Sequence, residues 1–532
     1  MTEMQMVTDV RAPAASWVPQ TEDVTALAQA TLSFLDTAST AFGRATAYNS
    51  RELNQAAELA VHDALLRMDR GLYALLLALP GVTDRARQVG VKNLLGVASN
   101  GLVALEVERR VLSHLVAELP ATRVFKLFVA LRAGDEKAGI HRANNARTRK
   151  LILRVVLGSP RIELWAVKYR TKMAESLTHA WGVRTASILR AVLAKASSTW
   201  TSKEQTIVRR AIDRFAPGKS VEKVRACVAF VLRVTGPMPT LPLLAAYESA
   251  KTDLSAGRRL PLEVLEGIRS TFHKDVKSAD VLGLTKDSLT TGQRMQVQRR
   301  AAEASIEVQM DPTEYDAVRL YLYAFEMGMT PEIGAALLEK ARKAALSLRL
   351  GYARIGILLD ASASMAGSKE QALRPMATAL AVRDVLMHAS RSVVVISGGT
   401  SNGADELLVR PSGATSLAEG LVELVGAGVE AVFVLSDGYE NRPAGRFAEV
   451  LAAVRGMGID TPVFHLNPVF AQEAKGVRSL AESSIATLPV SAPEALGLAM
   501  VRGLLVAEPR RGLEALTSLA LPMLGLSTPQ EV

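Results

Sequence analysis

The chain has one cysteine, Cys227, among its 532 residues, and this cysteine lies in the apolar stretch 226–232. A single thiol cannot form an internal disulfide framework, so the sequence is typical of a reducing compartment and we expect a cytoplasmic location. Long hydrophobic runs are also missing. The most apolar run, 72–82, is interrupted by Pro80 and is shorter than the ~20 residues of a membrane-spanning helix. The first twenty residues do not have the basic and apolar regions of a signal peptide.

Motifs of several common catalytic and metal sites are missing as well. The chain has no G-x-x-x-x-G-K-[ST] loop, no H-E-x-x-H motif and no paired cysteines, and its seven histidines are scattered. We therefore expect a protein that is not an enzyme. The alternative is metal-assisted hydrolysis at Asp360 and Asp437, with Glu440 as the nearest acid.

Aromatic residues make up only 5% of the chain, whereas 49% of all residues are hydrophobic, so the composition is rich in Ala, Leu and Val and favours helices. From residue 23 to about 350, apolar residues recur three and four positions apart, as at Ala57, Ala60, Val61 and Ala64. Gly and Pro separate these helical segments, often into pairs. This pattern predicts an α-solenoid of the HEAT type, with an irregular helical bundle as the alternative.

After residue 351 short apolar segments alternate with helical ones. Strands are predicted at 353–359, 392–397, 406–410, 431–436, 461–466 and 485–488. This alternation is typical of a doubly wound, Rossmann-like sheet with helices on both faces. The predicted domains are a flexible arm (1–22), a helical domain (23–350), an α/β domain (351–508) and a C-terminal tail (509–532) that is expected to pack on the helical part.

Charge is unevenly distributed along the chain. Residues 351–532 contain 14 Lys and Arg against 18 Asp and Glu, a net charge of −4, so residues 1–350 have a net charge of +14. Such an asymmetry favours a polyanionic partner for the helical part alone. Ordinary solvated helix faces explain the same net charge equally well.

One stretch of the helical part, 137–162, contains no acidic residue. It supplies four candidate contacts to a polyanion, namely Arg142, Arg147, Arg149 and Lys150. Trp165 and Tyr169 follow, and they could provide stacking planes for single-stranded nucleic acid. Because they lie four residues apart on a predicted helix, we expect them to form a core pair instead.

A second group of polar residues follows the predicted strands of the α/β part. One buried strand is predicted to end at Asp360, and Ser362 and Ser364 come directly after it. Ligands of parallel α/β sheets bind beyond the carboxyl ends of the strands. A carboxylate and two hydroxyls at that edge form a hard-oxygen half-site that suits Mg²⁺, Mn²⁺ or Ca²⁺. A second strand ends just before Asp437, and Thr415 lies between the two strands. Helix N-capping is the alternative role for such residues.

This pattern resembles the metal-ion-dependent adhesion site (MIDAS) of von Willebrand factor A domains. The resemblance implies a divalent metal ion, some of whose ligands act through water, at Asp360, Ser362, Ser364, Thr415 and Asp437. Mg²⁺ is the first candidate, with Mn²⁺ and Ca²⁺ as alternatives. The resemblance also implies an open metal position that an Asp or Glu of a partner completes, which would make this domain a protein-docking domain.

A basic helical region followed by such a domain resembles the Ro autoantigen family, the RNA-binding proteins with a TROVE module, including its bacterial Ro-like members. The resemblance rests on D-A-S-A-S-M at 360–365, A-V-K-Y-R-T-K at 166–172, and the aromatic (315–327) and basic (335–350) helical segments. It implies a HEAT-repeat ring that holds small structured Y-type RNA and accepts single-stranded ends of misfolded non-coding RNA, in RNA quality control or processing. It adds four candidate RNA contacts, Lys168, Arg170, Lys172 and His179.

The predicted partners are a small non-coding RNA and a protein, such as an exoribonuclease, bound by the A domain. No membrane partner is expected, and the predicted state is a monomer. The alternative function is a cytosolic adaptor of a MoxR-type AAA+ ATPase. That alternative fits residues 351–532 equally well, but it does not account for the net charge of +14 on residues 1–350.

Overall fold

The computed structural model describes most of the chain, and the structural statements below concern the described residues. These are 22–40, 51–96, 105–134, 143–216, 218, 221–235, 239–346, 348, 352–367, 372–397, 407–440, 444–468, 479–481, 485–490, 492–493, 496–497, 501–502, 505 and 508–526. The predicted flexible arm (1–22) therefore lies outside this set, except for its last residue.

Helices dominate the described residues. In chain order they are α1 (Val24–Thr40), α2 (Arg51–Met68), α3 (Arg70–Leu76), α4 (Asp84–Gly96), α5 (Leu105–Glu118), α6 (Ala121–Ala133), α7 (Ala146–Leu157), α8 (Ile162–Lys168), α9 (Arg170–Trp181), α10 (Val183–Leu193), α11 (Ser202–Ala211), α12 (Val221–Val231), α13 (Pro242–Ser249), α14 (Leu262–Phe272), α15 (Ser278–Thr285), α16 (Thr291–Glu303), α17 (Ala317–Met327), α18 (Pro331–Ala345), α19 (Arg374–Ala389), α20 (Leu417–Gly426), α21 (Arg446–Gly456) and α22 (Pro509–Met523). No helix among these residues is both long enough and apolar enough to cross a membrane.

The strands are β1 (Arg354–Leu359), β2 (Ser392–Ser397), β3 (Ala431–Leu435), β4 (Val463–Asn467) and β5 (Ala486–Pro489). They form one parallel sheet in the order β2-β1-β3-β4-β5. The predicted order of a helical region followed by an α/β domain is thus confirmed. Closure of the helices into a ring stays a prediction.

The chain forms two compact units. The α/β unit contains the described residues of Met1–Val91, Ser99–Leu115 and Tyr315–Val532, and the helical unit contains those of Lys92–Ala98 and Val116–Glu314. The units therefore do not follow the sequence division at residue 350. Near that point the chain stays in one unit because α17 and α18 both pack on α19. The C-terminal helix α22 packs on α1 and α3 of the same unit.

Side-chain caps define where several helices of the helical unit begin. The Asn145 side chain accepts a hydrogen bond from the backbone N–H of Thr148 at the start of α7. Thr201 and Glu204 form a reciprocal capping box at the start of α11. Such caps satisfy N–H groups that have no partner within the helix, and each typically contributes about 1 kcal/mol.

Helices cover both faces of the sheet in the α/β unit. Because the β1–β2 and β2–β3 connections run in opposite directions across the sheet, right-handed crossovers place α19 and α20 on opposite faces. Leu358 and Val434 share one hydrophobic cluster with Leu421 of α20 and Phe447 of α21. Residues of β1 and β3 are almost fully buried, as expected of central parallel strands.

One predicted strand, 406–410, is not observed as a strand. Residue 406 lies outside the described set, and Leu407–Arg410 have no regular structure. Side chains rather than a strand ladder hold this segment: Arg383 donates to the Leu407 carbonyl at 3.2 Å, and Arg410 donates to the Phe325 carbonyl at 2.6 Å. These long-range contacts explain why a strand-like sequence adopts another structure.

Candidate functional site

Two of the predicted metal ligands lie at the ends of neighbouring strands. Asp360 follows β1 directly, and Asp437 follows β3 after Ser436. β1 and β3 pair in parallel, with Leu359 opposite Leu435, so both carboxyl ends lie at the same edge of the sheet. The residues Asp360 and Asp437 are 0% and 3% exposed. The sheet topology thus assembles the acidic part of the predicted site.

Backbone hydrogen bonds bring the third segment to this edge. The N–H of Ser412 donates to the Ala361 carbonyl at 2.7 Å, and the N–H of Ala363 donates to the Gly413 carbonyl at 3.0 Å. Gly413 has a φ of 63°, in the left-handed region that favours glycine. This loop carries Thr415, which the hydrogen bonds hold beside the segment that follows β1.

Hydrogen bonds within the site orient its carboxylates and hydroxyls. The Oδ1 of Asp360 accepts from the N–H of Ser362 at 2.9 Å, and its Oδ2 accepts from the hydroxyl of Ser436 at 2.7 Å. The hydroxyls of Ser362 and Ser364 are 2.9 Å apart. The Oδ1 of Asp437 accepts from the N–H of Tyr439 at 3.0 Å. The structure therefore places the three segments that carry the five motif residues at one edge of the sheet.

Thr415 provides a test of whether these residues fit a metal ion. Its side chain is 4% exposed, and its buried hydroxyl has no hydrogen-bond partner within the described part of the chain. Burying an unsatisfied hydroxyl costs roughly 1–3 kcal/mol. A divalent cation would satisfy this oxygen, and the other donors are the carboxylate and hydroxyl oxygens that hard cations prefer. The residues present therefore fit a divalent metal ion.

Sequence inspection missed two residues of β4 that contact this site. His465 Nε2 donates to the Ser436 carbonyl at 2.9 Å, and Asn467 Nδ2 donates to the Asp437 carbonyl at 3.2 Å. Burial lowers the pKa of His465 to about 4, so its ring is neutral at pH 7. Nothing in the local sequence of β4 indicates these contacts, because they depend on which strand lies beside β3.

Glu440, the acid named for the enzymatic alternative, is engaged in capping a helix. Its Oε1 accepts from the backbone N–H of Phe447 at 2.8 Å near the start of α21, and burial raises its pKa. A further sequence feature, G-T-S-N-G at 399–403, has the G-x-S-x-G spacing of hydrolase nucleophiles. It lies outside the described residues. The absence of enzymatic activity stays a prediction.

The predicted RNA contacts differ in how available their charges are. Arg149 and Lys150 are exposed on α7, and Lys172 is exposed on α9. Arg149 also donates to Asn144 Oδ1 at 3.1 Å. Arg147 and His179 are half-buried, and Arg142 lies outside the described residues. The helices α7 and α9, which carry these exposed cations, pack on each other in the helical unit.

Two of the residues assigned from the family resemblance are engaged within the protein. Lys168 forms an ion pair with Glu263 at 3.2 Å. Arg170 is half-buried and donates from Nε and Nη2 to the Phe230 carbonyl at 3.1 and 2.7 Å. Its guanidinium also lies 3.9 Å from the centroid of the Phe230 ring. The Nε–H and one Nη2–H of Arg170 are therefore engaged within the protein.

The two aromatic residues of this segment, Trp165 and Tyr169, are half-buried and pack against one buried ring. The ring of Phe125 lies 5.5 Å from that of Trp165 and 5.3 Å from that of Tyr169. Trp165 and Tyr169 thus both pack on the buried ring of Phe125, but each is itself half-buried, so a core pair stays a prediction.

The charge of the helical unit is larger than the sequence division suggested. Residues 116–314 contain 34 Lys and Arg against 19 Asp and Glu, a net charge of +15, whereas the rest of the chain has a net charge of −5. Several exposed cations of α6–α10 and their connections have no side-chain partner among the described residues. They are Arg123, Lys126, Arg132, Lys150, Arg154, Arg161, Lys172 and Arg184. We call these eight residues the basic set.

The fold and the two sites define a class of protein: a strongly basic helical unit combined with an α/β unit that carries a cluster of carboxylate and hydroxyl oxygens at its strand ends. The chain is similar to the crystal structure of the Deinococcus radiodurans Ro (RSR) protein, with 14% sequence identity, coverage of 82% of this chain and 99% of that one, and a TM-score of 0.28. No family model matches the chain, and no curated protein matches it significantly.

Proposed function

We propose that this chain is a Ro-like RNA-binding protein whose helical unit holds RNA through its basic set. The observation that carries the proposal is the confinement of the entire positive excess, +15, to residues 116–314. The cations of the basic set have no ion-pair partners among the described residues, so no salt bridge between these residues has to break when they contact phosphates. The release of counterions from the nucleic acid then favours binding. The packing of Trp165 and Tyr169 against Phe125 favours recognition of backbone and shape over stacking by these two rings.

The RNA we propose is a small structured non-coding RNA, together with single-stranded ends of misfolded RNA. The helical unit offers cations on several helices, which suits a folded RNA with closely spaced phosphates. The role that follows is RNA quality control or processing.

The α/β unit is proposed to bind a divalent metal ion, with Mg²⁺ as the first candidate, and to dock a protein through it. Asp360, Ser362, Ser364, Thr415 and Asp437 would hold the ion. When bound, the ion supplies a positive charge with an open coordination position that a carboxylate of a partner can complete. The chain's own residues orient the oxygens and exclude water from them, as the burial of Asp360 and Thr415 indicates.

The test of RNA binding is to purify the protein from its own cells, extract and sequence the bound nucleic acid, and titrate that RNA against salt. A discrete small RNA whose affinity falls by about 10³–10⁵ between 50 and 200 mM salt is the expected result for six to ten phosphate contacts. Protein that carries no RNA and stimulates a MoxR-type ATPase would contradict the proposal and favour the adaptor function.

A further inference from the structure

We infer that His465 and Asn467 of β4 are positioning residues that hold the Ser436–Asp437 backbone and thereby orient the oxygens of the proposed metal site. This inference rests on the metal site of the proposed function. Each of the two side chains donates one hydrogen bond to one of two successive carbonyls, those of Ser436 and Asp437.

The reason for this arrangement lies in the strand ladder. Leu435 is opposite Leu466 in the parallel pair of β3 and β4, and the N–H of Ser436 donates to the Leu466 carbonyl at 3.3 Å. In a regular parallel ladder the carbonyl of Ser436 would then accept from the N–H of residue 468. Residue 468 is proline, which has no N–H. The Nε2–H of His465 therefore supplies the donor that the backbone lacks.

The chemistry of the ring is consistent with this role. A carbonyl oxygen can only accept, so the proton of the neutral His465 ring is on Nε2. Its other nitrogen, Nδ1, lies 3.2 Å from the hydroxyl of Thr487 on β5. The ring is thus held at Nε2 and is 0% exposed.

The two donors affect the site through the residues whose carbonyls they hold. Ser436 accepts from the N–H of Gly438 at 3.1 Å and directs its own hydroxyl proton to Asp360 Oδ2. Asp437 places its carboxylate at the same strand end. Fixing the two peptide groups therefore limits the orientations of the Asp437 carboxylate directly. It limits those of the Asp360 carboxylate through the hydroxyl of Ser436. Such outer contacts typically affect metal affinity by 10–100-fold.

The test is Mn²⁺ binding by the full chain, measured by electron paramagnetic resonance, with stability in EDTA measured on the same samples. His465→Leu and Asn467→Leu remove the donors and are expected to weaken Mn²⁺ binding at least tenfold. His465→Gln keeps an N–H donor at the ε position, and its affinity for Mn²⁺ is expected to stay within threefold of that of the wild type. Phe464→Leu is the matched control, because this β4 side chain stacks on Phe433 at 5.2 Å and contacts neither carbonyl. Phe464→Leu should lower the stability of the protein without a comparable loss of affinity for Mn²⁺.

Several outcomes would overturn the inference. One is wild-type Mn²⁺ affinity in folded His465→Leu and Asn467→Leu, and another is a loss no larger than that of an equally destabilised Phe464→Leu. If the leucine variants do not fold, Asn467→Ser, which shortens the donor and stays polar, decides the matter by the same criterion. Failure of the proposed metal site itself gives a different result: wild type and Asp437→Ala would both fail to bind Mn²⁺.

Discussion

The guanidinium of Arg170 donates two hydrogen bonds to the carbonyl of Phe230 and lies 3.9 Å from the centroid of the ring of the same residue. Phe230 is in the last turn of α12, so the cation sits where a helix carries a partial negative charge. Arg170 thus joins α9 to α12, although its place in a basic segment suggested an RNA contact.

Arg170→Ala should therefore destabilise the protein. Loss of charge-assisted hydrogen bonds and of the contact with the ring is expected to lower the free energy of unfolding by about 2 kcal/mol. The measurement is urea denaturation followed by circular dichroism. Lys172→Ala, which removes an exposed cation two residues away, is the control and should change stability by less than about 0.5 kcal/mol. Equal effects of the two substitutions would contradict the structural role.

Lys150 and Arg154 of the basic set should contribute to RNA affinity through charge alone. They are four residues apart on the exposed side of α7. The double substitution Lys150→Ala/Arg154→Ala is expected to reduce the slope of log affinity against log salt by about 1.4–1.8, because each phosphate contact contributes about 0.7–0.9. Arg342→Ala/Lys343→Ala removes two exposed cations from α18 of the other unit and should leave the slope unchanged. If the slope falls equally in both variants, the RNA binds cations of the two units alike, and the proposed role of the basic set is contradicted.

Thr415→Val should stabilise the metal-free protein and reduce the further stabilisation that a metal ion gives. Valine has the shape of threonine but no hydroxyl, so the metal-free protein loses an unsatisfied buried group. We expect it to become more stable by about 1 kcal/mol in EDTA. The increase in stability that Mg²⁺ or Mn²⁺ gives the wild type should shrink, because one candidate ligand is gone. Thermal unfolding with EDTA and with Mn²⁺ measures both effects, and destabilisation in EDTA would argue that Thr415 has a partner in the metal-free state.

Cys227 should be unreactive in the folded protein. It is 0% exposed, and burial, reinforced by the charge of Glu163, raises its pKa to about 12. Since the thiolate is the reactive form, Ellman's reagent at pH 8 should label the chain only on unfolding. Because the folded pKa exceeds the ordinary value, the stability that this group contributes is present below about pH 9 and falls as the pH rises toward 12. Cys227→Ala should reduce this alkaline loss, and rapid labelling of native protein would contradict the prediction.

Much of the α/β unit could be predicted from local sequence. Apolar runs of five or six residues ending in Asp identified β1 and β3, and the same motif located Asp360, Ser362, Ser364, Thr415 and Asp437. Such predictions succeed because a buried parallel strand has to be apolar along its whole length and its polar residues collect after its end. The segment 407–410 shows the limit, since the side chains of Arg383 and Arg410 hold it in place of a ladder.

The sequence by itself determined the helical and α/β character of the two parts, the concentration of positive charge in the first two-thirds, and the residues of the metal motif, because periodicity, charge and motif spacing are local properties. The tertiary structure decided which cations are available and what holds the motif in place. Arg170 meets a carbonyl 60 residues away, and His465 meets one 29 residues away. Hydrogen-bond partners at such separations depend on which helix or strand packs alongside, and neither pairing is marked in the sequence around Arg170 or His465.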